Sequence, residues 1–368
     1  MYGYEYGWEN VNDTRARQTI RTSSEKDLVN KTSQACEDRT STVLSLSHIS
    51  YKHHYPQLSR LTVMSYEITT HSGGARFFLI PPKKPSAWQQ FRDEPCLFLA
   101  RKLSAWRPTN LPKLPENPVT VVCISNTYHE RPEIPPGDIL IHAGDLTSDG
   151  SLAELQITLN WLQAQPHPIK IAVAGRADRY LDKMKKGGRR WRHGHRERAY
   201  WGDIIYLEHQ HLTVTAPNGR QLRIYGSPYS PMTVPSLAFQ YSDSDNIWDR
   251  VPDNMDILIT HTPPYTHRDS LRGCLHLLNH IWMDPPRLHV FGCAREHHGC
   301  EFLYYDALQA AVERIEDVGG GFSNLLMVVK GLVQSFFRPD IKAKSVLVNA
   351  CTNGGLWDPE RQPISVVI

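Results

Sequence analysis

Apolar and polar positions follow no clear period over the first third of the chain and become orderly from Val119 onward. Short runs rich in β-branched residues then recur: VTVVCIS at 119–125, DILIHAG at 138–144 and IKIAVAG at 169–175. Continuous apolar runs of this length, bounded by polar turns, predict strands buried on both faces. Between the second and third, Leu152, Leu155, Leu159 and Leu162 keep a helical period, and Ser148 and Ser151 offer N-cap hydroxyls. Further strands are predicted at Leu222–Gly226, Asp256–His261, Arg287–Gly292, Val346–Ala350 and Ile364–Ile368. Strands alternating with helical stretches make the fold class α/β, with sheets covered by helices.

Before Val119 less can be placed. Residues 1–55 are rich in Ser, Thr, Asn and charge, the composition of a disordered extension. Residues 56–118 contain strand-like pieces at Leu61–Ile68 and Arg76–Ile80, one helical stretch from Trp88 to Trp106, and a Pro-rich linker at Pro108–Pro118. They carry no assignment beyond that.

Composition narrows the partners. A chain of 368 residues that is 40% hydrophobic can bury a sizeable core. Its net charge of +3 says little, but residues 183–198 gather eight Lys or Arg against one Glu. Three glycines inside that run favour a solvated loop insertion over a recognition helix, so nucleic acid is not an expected partner. The longest apolar stretch, Asn324–Phe337, is broken by Lys330 and too short to span a bilayer, so no membrane partner is expected either. Seven scattered cysteines without a C-x-x-C pair, and a start without a basic-then-apolar leader, predict a reduced, cytoplasmic protein. His297, His298 and Cys300 lack a fourth ligand at zinc spacing and read as an exposed loop. The glycines at 319–321 precede no Lys-Ser or Lys-Thr and read as a connector.

The chemistry concentrates at the strand ends. Five strands finish in the polar clusters S-N-T-Y-H-E, G-D-L-T, G-R-A-D, T-H-T-P-P and G-C-A-R-E-H-H-G. In α/β folds such ends converge on one rim, where sites form. Their order resembles the calcineurin-like metallophosphoesterases, and more closely the metallophosphoesterase-domain proteins of animals and fungi, whose pattern is D-x-H, G-D, G-N-H-D/E, T-H-G-P-P and G-H-x-H. The resemblance runs from Val119 to Ile368, supported by P-P-G-D-I-L-I-H-A-G-D-L-T at 135–147, I-Y-G-S-P at 224–228 and D-I-L-I-T-H-T-P-P at 256–264. It implies two stacked mixed β-sheets flanked by helices, and two divalent cations, Mn or Fe, that polarise phosphoryl oxygens and generate hydroxide.

The ligand positions do not follow. The first motif has Asn126 for Asp and Tyr128 for His, with His129 a neighbour. Asp145, the bridging carboxylate, is kept. The third motif has Arg176 for Asn and Ala177 for His, followed by Asp178. His261 is kept, with Thr262 after it, and the last motif has Cys293 and Arg295 in its two His positions. A guanidinium has no free lone pair to offer a metal. The resemblance therefore implies no metal cofactor, or at most one ion on Asp145 and His261. The expected pocket takes an anionic or enolic small molecule. His261, Asp145, Tyr128, Arg176 and Arg295 are its acid–base and charge groups, Asn126, His129, Asp178 and Cys293 its binding groups, and both arginines are expected to pair with Asp145. Three readings stay open: a metal-free enzyme of specialised metabolism of fungal type, a non-catalytic pseudoenzyme, and a metal-dependent phosphodiesterase with an atypical site.

Overall fold

Alternate residues of the predicted strands go to opposite sides of a sheet, as the pleat requires. Val121, Cys123, Ile139, Ile141, Ile171 and Val173 face a shared core with Ile224, Ile257, Ile259, Val290 and Val348, while Val122, Ile124, Leu140 and Ala172 face a helix carrying Leu155, Leu159 and Leu162. The structure is a computed structural model and describes residues 43–44, 66–71, 74–79, 85–108, 115–182, 198–234, 236–269, 273–337, 344–354 and 361–368. The basic run at 183–197 and most of residues 1–55 lie outside the described residues.

Two units divide at Pro85 and Ser86. The first holds β1 (Val43–Leu44), β2 (Tyr66–His71) and β3 (Gly74–Leu79), an antiparallel sheet in that order.

The second unit begins with α1 (Ala87–Asp93) and α2 (Pro95–Ser104), where the sequence suggests one helix. Pro95 causes the break, because proline suits the first turn of a new helix and not the interior of an old one. Ser86 and Gln89 form a capping box at the start of α1.

Next come β4 (Thr120–Ile124), β5 (Ile139–Ala143), α3 (Leu152–Gln163), β6 (Ile169–Val173) and β7 (Ile204–Tyr206). Ser151 caps α3 by accepting from the Glu154 N–H. Then follow β8 (Gln210–Thr215), β9 (Gln221–Ser227), β10 (Ser230–Pro231), β11 (Gln240–Tyr241), β12 (Ile257–Thr260), α4 (Leu275–Met283) and β13 (Leu288–Phe291). The chain closes with β14 (Gly299–Tyr304), α5 (Ala307–Val318), α6 (Phe322–Phe337), β15 (Lys344–Asn349) and β16 (Ile364–Val367).

One sheet has the order β16-β4-β5-β6-β7, parallel except for β16; the other runs β14-β15-β13-β12-β9-β8, parallel except at its two edges. Two stacked mixed sheets flanked by helices are what the motif order implies. α3 covers the first sheet and α4 the second, through Leu277, Leu278 and Ile281 against Tyr225, Leu258 and Phe291. Residues 86–108, unassigned from sequence, belong to this unit: Ala100 of α2 is buried with Leu308, Val312 and Ile315 of α5 and Val328 and Leu332 of α6. Among the described residues no helix is long and apolar enough to cross a membrane.

Candidate functional site

The site forms where β4, β5, β6, β12 and β13 end. Asn126, Tyr128, Asp145 and Cys293 all hold positive φ, between 48° and 66°. Non-glycine residues enter that region at a cost and cluster at functional sites, so four such turns on one rim mark it. Two glycines make room. A Cβ on Gly144 would lie 2.5 Å from His261 Nδ1, and one on Gly175 would collide with the backbone and carboxylate of Asp145. The G-D and G-R dipeptides therefore let the strand ends close on one another.

Asp145 is the centre. Its Oδ2 accepts from Asn126 Nδ2 at 2.7 Å and from the Tyr128 hydroxyl at 2.8 Å, and its Oδ1 accepts from the Ala177 N–H at 2.8 Å. Burial works against its charge, but His261, these donors and Arg176 outweigh it and hold the carboxyl below its usual range. Asn126 is used up by the same network. Its Nδ2 also donates to the Tyr128 oxygen at 3.0 Å, and its Oδ1 accepts from Ser125 Oγ and the Cys293 N–H. Both donors and both lone pairs of the amide are satisfied. Burial, then the Asp145 charge, pushes the Tyr128 phenol far up, so it stays a neutral donor to the carboxylate.

The two arginines do not meet Asp145, contrary to the sequence expectation. Arg295 donates to the Tyr128 oxygen at 2.8 Å and lies over its ring, 4.8 Å from the centroid. Arg176 donates to Cys293 Sγ and, at 3.4 Å, to Thr233 Oγ1. The carboxylate is satisfied by neutral donors, and each guanidinium has partners of its own.

His261 is wholly buried. Its Nδ1 donates to the Ala143 carbonyl at 3.0 Å, which leaves Nε2 as the bare lone pair. That Nε2 lies 3.4 Å from Asp145 Oδ1 and has no hydrogen-bond partner. Burial lowers its pKa, Asp145 opposes and Arg176 assists, so the ring is neutral.

An open pocket of 630 Å³ lies above this network, lined among others by Tyr128, His129, Asp145, Arg176 and Arg295. The other four sequence candidates stand behind its wall. Asn126, Cys293 and His261 support it as described. Asp178 is buried beneath, accepting from the N–H groups of Leu146, Thr147 and Gly175 and from Thr147 Oγ1. Asn126, Cys293 and Asp178 thus shape the site without facing its contents. Burial and the nearby Asp145 push the Asp178 carboxyl upward against those four donors. His129 is on the wall but turned to solvent, with Nε2 2.7 Å from Ser148 Oγ. Thr233, Val234 and Leu237 after β10, and Asn353 after β15, also line the pocket. No motif flags them; the only signal is their nearness to I-Y-G-S-P and L-V-N-A in sequence.

The family's two cations do not fit this donor set. Asp145 and the bare Nε2 of His261 could serve, but Asn126 is spent, and Tyr128, Arg176 and Arg295 fill three remaining ligand positions with groups that repel or ignore a dication. Among the described residues no group of three or more His, Cys, Asp or Glu is placed to hold a metal ion.

Residues 122–292 match the calcineurin-like phosphoesterase family. The chain is 36% identical over 288 residues to a probable rhamnogalacturonate lyase C of Emericella nidulans, a match that covers 76% of this chain and 27% of that protein. It is 33% identical over 205 residues to a UPF0046 protein of Caenorhabditis elegans, covering 50% of this chain and 71% of the worm protein. It is 32% identical over 223 residues to human metallophosphoesterase domain-containing protein 1, covering 52% and 65%. Shared motif order, stacked mixed sheets and these similarities agree: the chain belongs to the calcineurin-like phosphoesterase family.

Proposed function

We propose that this protein uses the phosphoesterase fold to hold an anionic or enolic small molecule without divalent metal, with Arg176 and Arg295 supplying the positive charge. One observation carries the reading. Two guanidinium groups from different strand ends line one pocket, and neither is within ion-pair distance of a carboxylate among the described residues. Their charge remains available to a ligand, and the planar guanidinium suits two-point recognition of carboxylate or phosphate.

The bare Nε2 of His261 favours turnover over binding alone. A proton taken by Asp145 from a bound substrate has an empty acceptor 3.4 Å away, and the arginines would stabilise the resulting enolate. The lyase name of the Emericella nidulans relative lends nothing specific, since this chain matches 27% of that protein.

Isothermal titration with inorganic phosphate and with oxalate, in the presence of EDTA, tests the proposal. Each probe is expected to bind, and Arg176→Ala or Arg295→Ala is expected to weaken it about 10- to 100-fold, the worth of one charge-assisted contact. Absence of any heat would leave a pseudoenzyme. Cleavage of bis(4-nitrophenyl) phosphate that needs Mn²⁺ and stops with EDTA would establish the metal-dependent reading instead.

A further inference from the structure

Helix α6 buries one face and leaves the other bare. Val328, Gly331, Leu332 and Ser335 pack inward, Val328 and Leu332 against α5 and α2. Outward lie Phe322, Leu326, Val329, Val333 and Phe336, spaced 4, 3, 4 and 3 residues apart, with Phe337 beside them. That alternation is the seam of a coiled coil, in which apolar residues repeat every 3.5 positions. Lys330 is the helix's single charged residue, and it sits with Ser323 and Gln334 on one flank of the stripe. An amphipathic helix lying on lipid carries a strongly charged polar face, which α6 does not have.

Size points the same way. Phe322, Phe336 and Phe337 are 76%, 56% and 81% exposed. Taking about 200 Å² for a phenylalanine, and somewhat less for the aliphatic residues, the stripe presents about 600 Å². This is the upper end of what a monomer leaves bare and the lower end of what each partner of a stable complex contributes. Gly331 fixes the inner face, because a Cβ there would lie 2.7 Å from the Leu308 backbone. The helix therefore cannot rotate to hide the stripe without losing its packing on α5.

We propose that the outer face of α6 is a dimerisation surface that pairs with the same face of a second copy of this chain. A seam of one composition, free of charge along its centre, is complementary to itself, which a two-fold interface demands.

Sedimentation velocity on the full chain across a concentration series tests this. The expected result is a particle of twice 42.1 kDa that Leu326→Glu and Val333→Glu each reduce to a monomer with unchanged circular dichroism, while Ile157→Glu, on exposed α3 surface, leaves the dimer intact. Val329 lies at the middle of α6 and meets its own copy whichever way the helices run, so oxidised Val329→Cys is expected to cross-link as a dimer and the parent chain, with its exposed Cys300, is not. A chain monomeric at high micromolar concentration, a dimer indifferent to both Glu variants of α6, a Val329→Cys dimer that does not cross-link, or a monomer that floats with phosphatidylcholine vesicles through this face would each overturn the proposal.

Discussion

His261 and His267 are both buried beside carboxylates, yet the fold holds them in opposite states. His267 lies between two glutamates, Nδ1 2.9 Å from Glu301 Oε1 and Nε2 3.0 Å from Glu313 Oε1. Burial disfavours its charge, but those two bonds outweigh it and push its pKa up to about 10. His261 gives its one proton to a backbone carbonyl and turns a bare nitrogen to a single carboxylate already occupied by three donors. Proximity to an acid therefore does not decide the charge; the number of acceptors left for the ring does. With both nitrogens matched, the ring is a structural cation. With one matched to a carbonyl, it keeps an unpartnered lone pair.

The largest effect is expected where both nitrogens are matched. His267→Gln leaves the buried Glu313 without its cation, and the part-exposed Glu301 with Arg268 alone, and should cost about 3–5 kcal/mol in urea unfolding. The pH dependence has a definite sign. The folded pKa lies above the ordinary 6.5, so the stabilisation is complete below pH 6.5 and is lost as pH rises through about 10. The wild type should lose stability over that window relative to His267→Gln. Parallel profiles for the two proteins would show that His267 is not a buried cation.

A smaller effect, and one of mixed sign, is expected at the other histidine's partner. Asp145→Asn replaces an acceptor for three donors by an amide that must point its NH₂ at one of them, costing about 1–3 kcal/mol. The same change removes the negative charge from the pocket floor, so phosphate affinity should rise, by about tenfold, while stability falls. If affinity drops with stability, Asp145 is organising the guanidinium groups and not opposing the ligand.

These contrasts divide what the sequence could tell from what it could not. Parallel strands buried on both faces write themselves as apolar runs, so β4, β5, β6, β12 and β13 are legible. β8 and β14 are edges whose outer residues are polar or exposed, so the apolar period fades and neither stands out. Motif order also brings Tyr128, Asp145, Arg176 and Arg295 together, because a strand end has a fixed place on the rim. Which way each side chain turns is not written there. Asn126 and Cys293 turn behind the wall through positive-φ backbone, and Arg176 reaching Cys293 and Asp178 closing beneath rest on hydrogen bonds between distant loops. The His267 cluster joins a loop after β12 to β14 and α5, three places with no motif between them.

The smallest expected effect sharpens the comparison most. A site built for divalent cations would gain about 2.7 kcal/mol from Mn²⁺ at a hundredfold excess over its Kd, and the melting temperature would rise by about 3–5 °C. Here two donors face two guanidinium groups, so the shift in excess Mn²⁺ should stay under about 1 °C. Should it reach several degrees and vanish in His261→Ala, the bare Nε2 would be a metal ligand. The opposition between His261 and His267 would then be one between a ligand and a counter-ion, and the arginines would have to swing clear of the pocket floor to permit it.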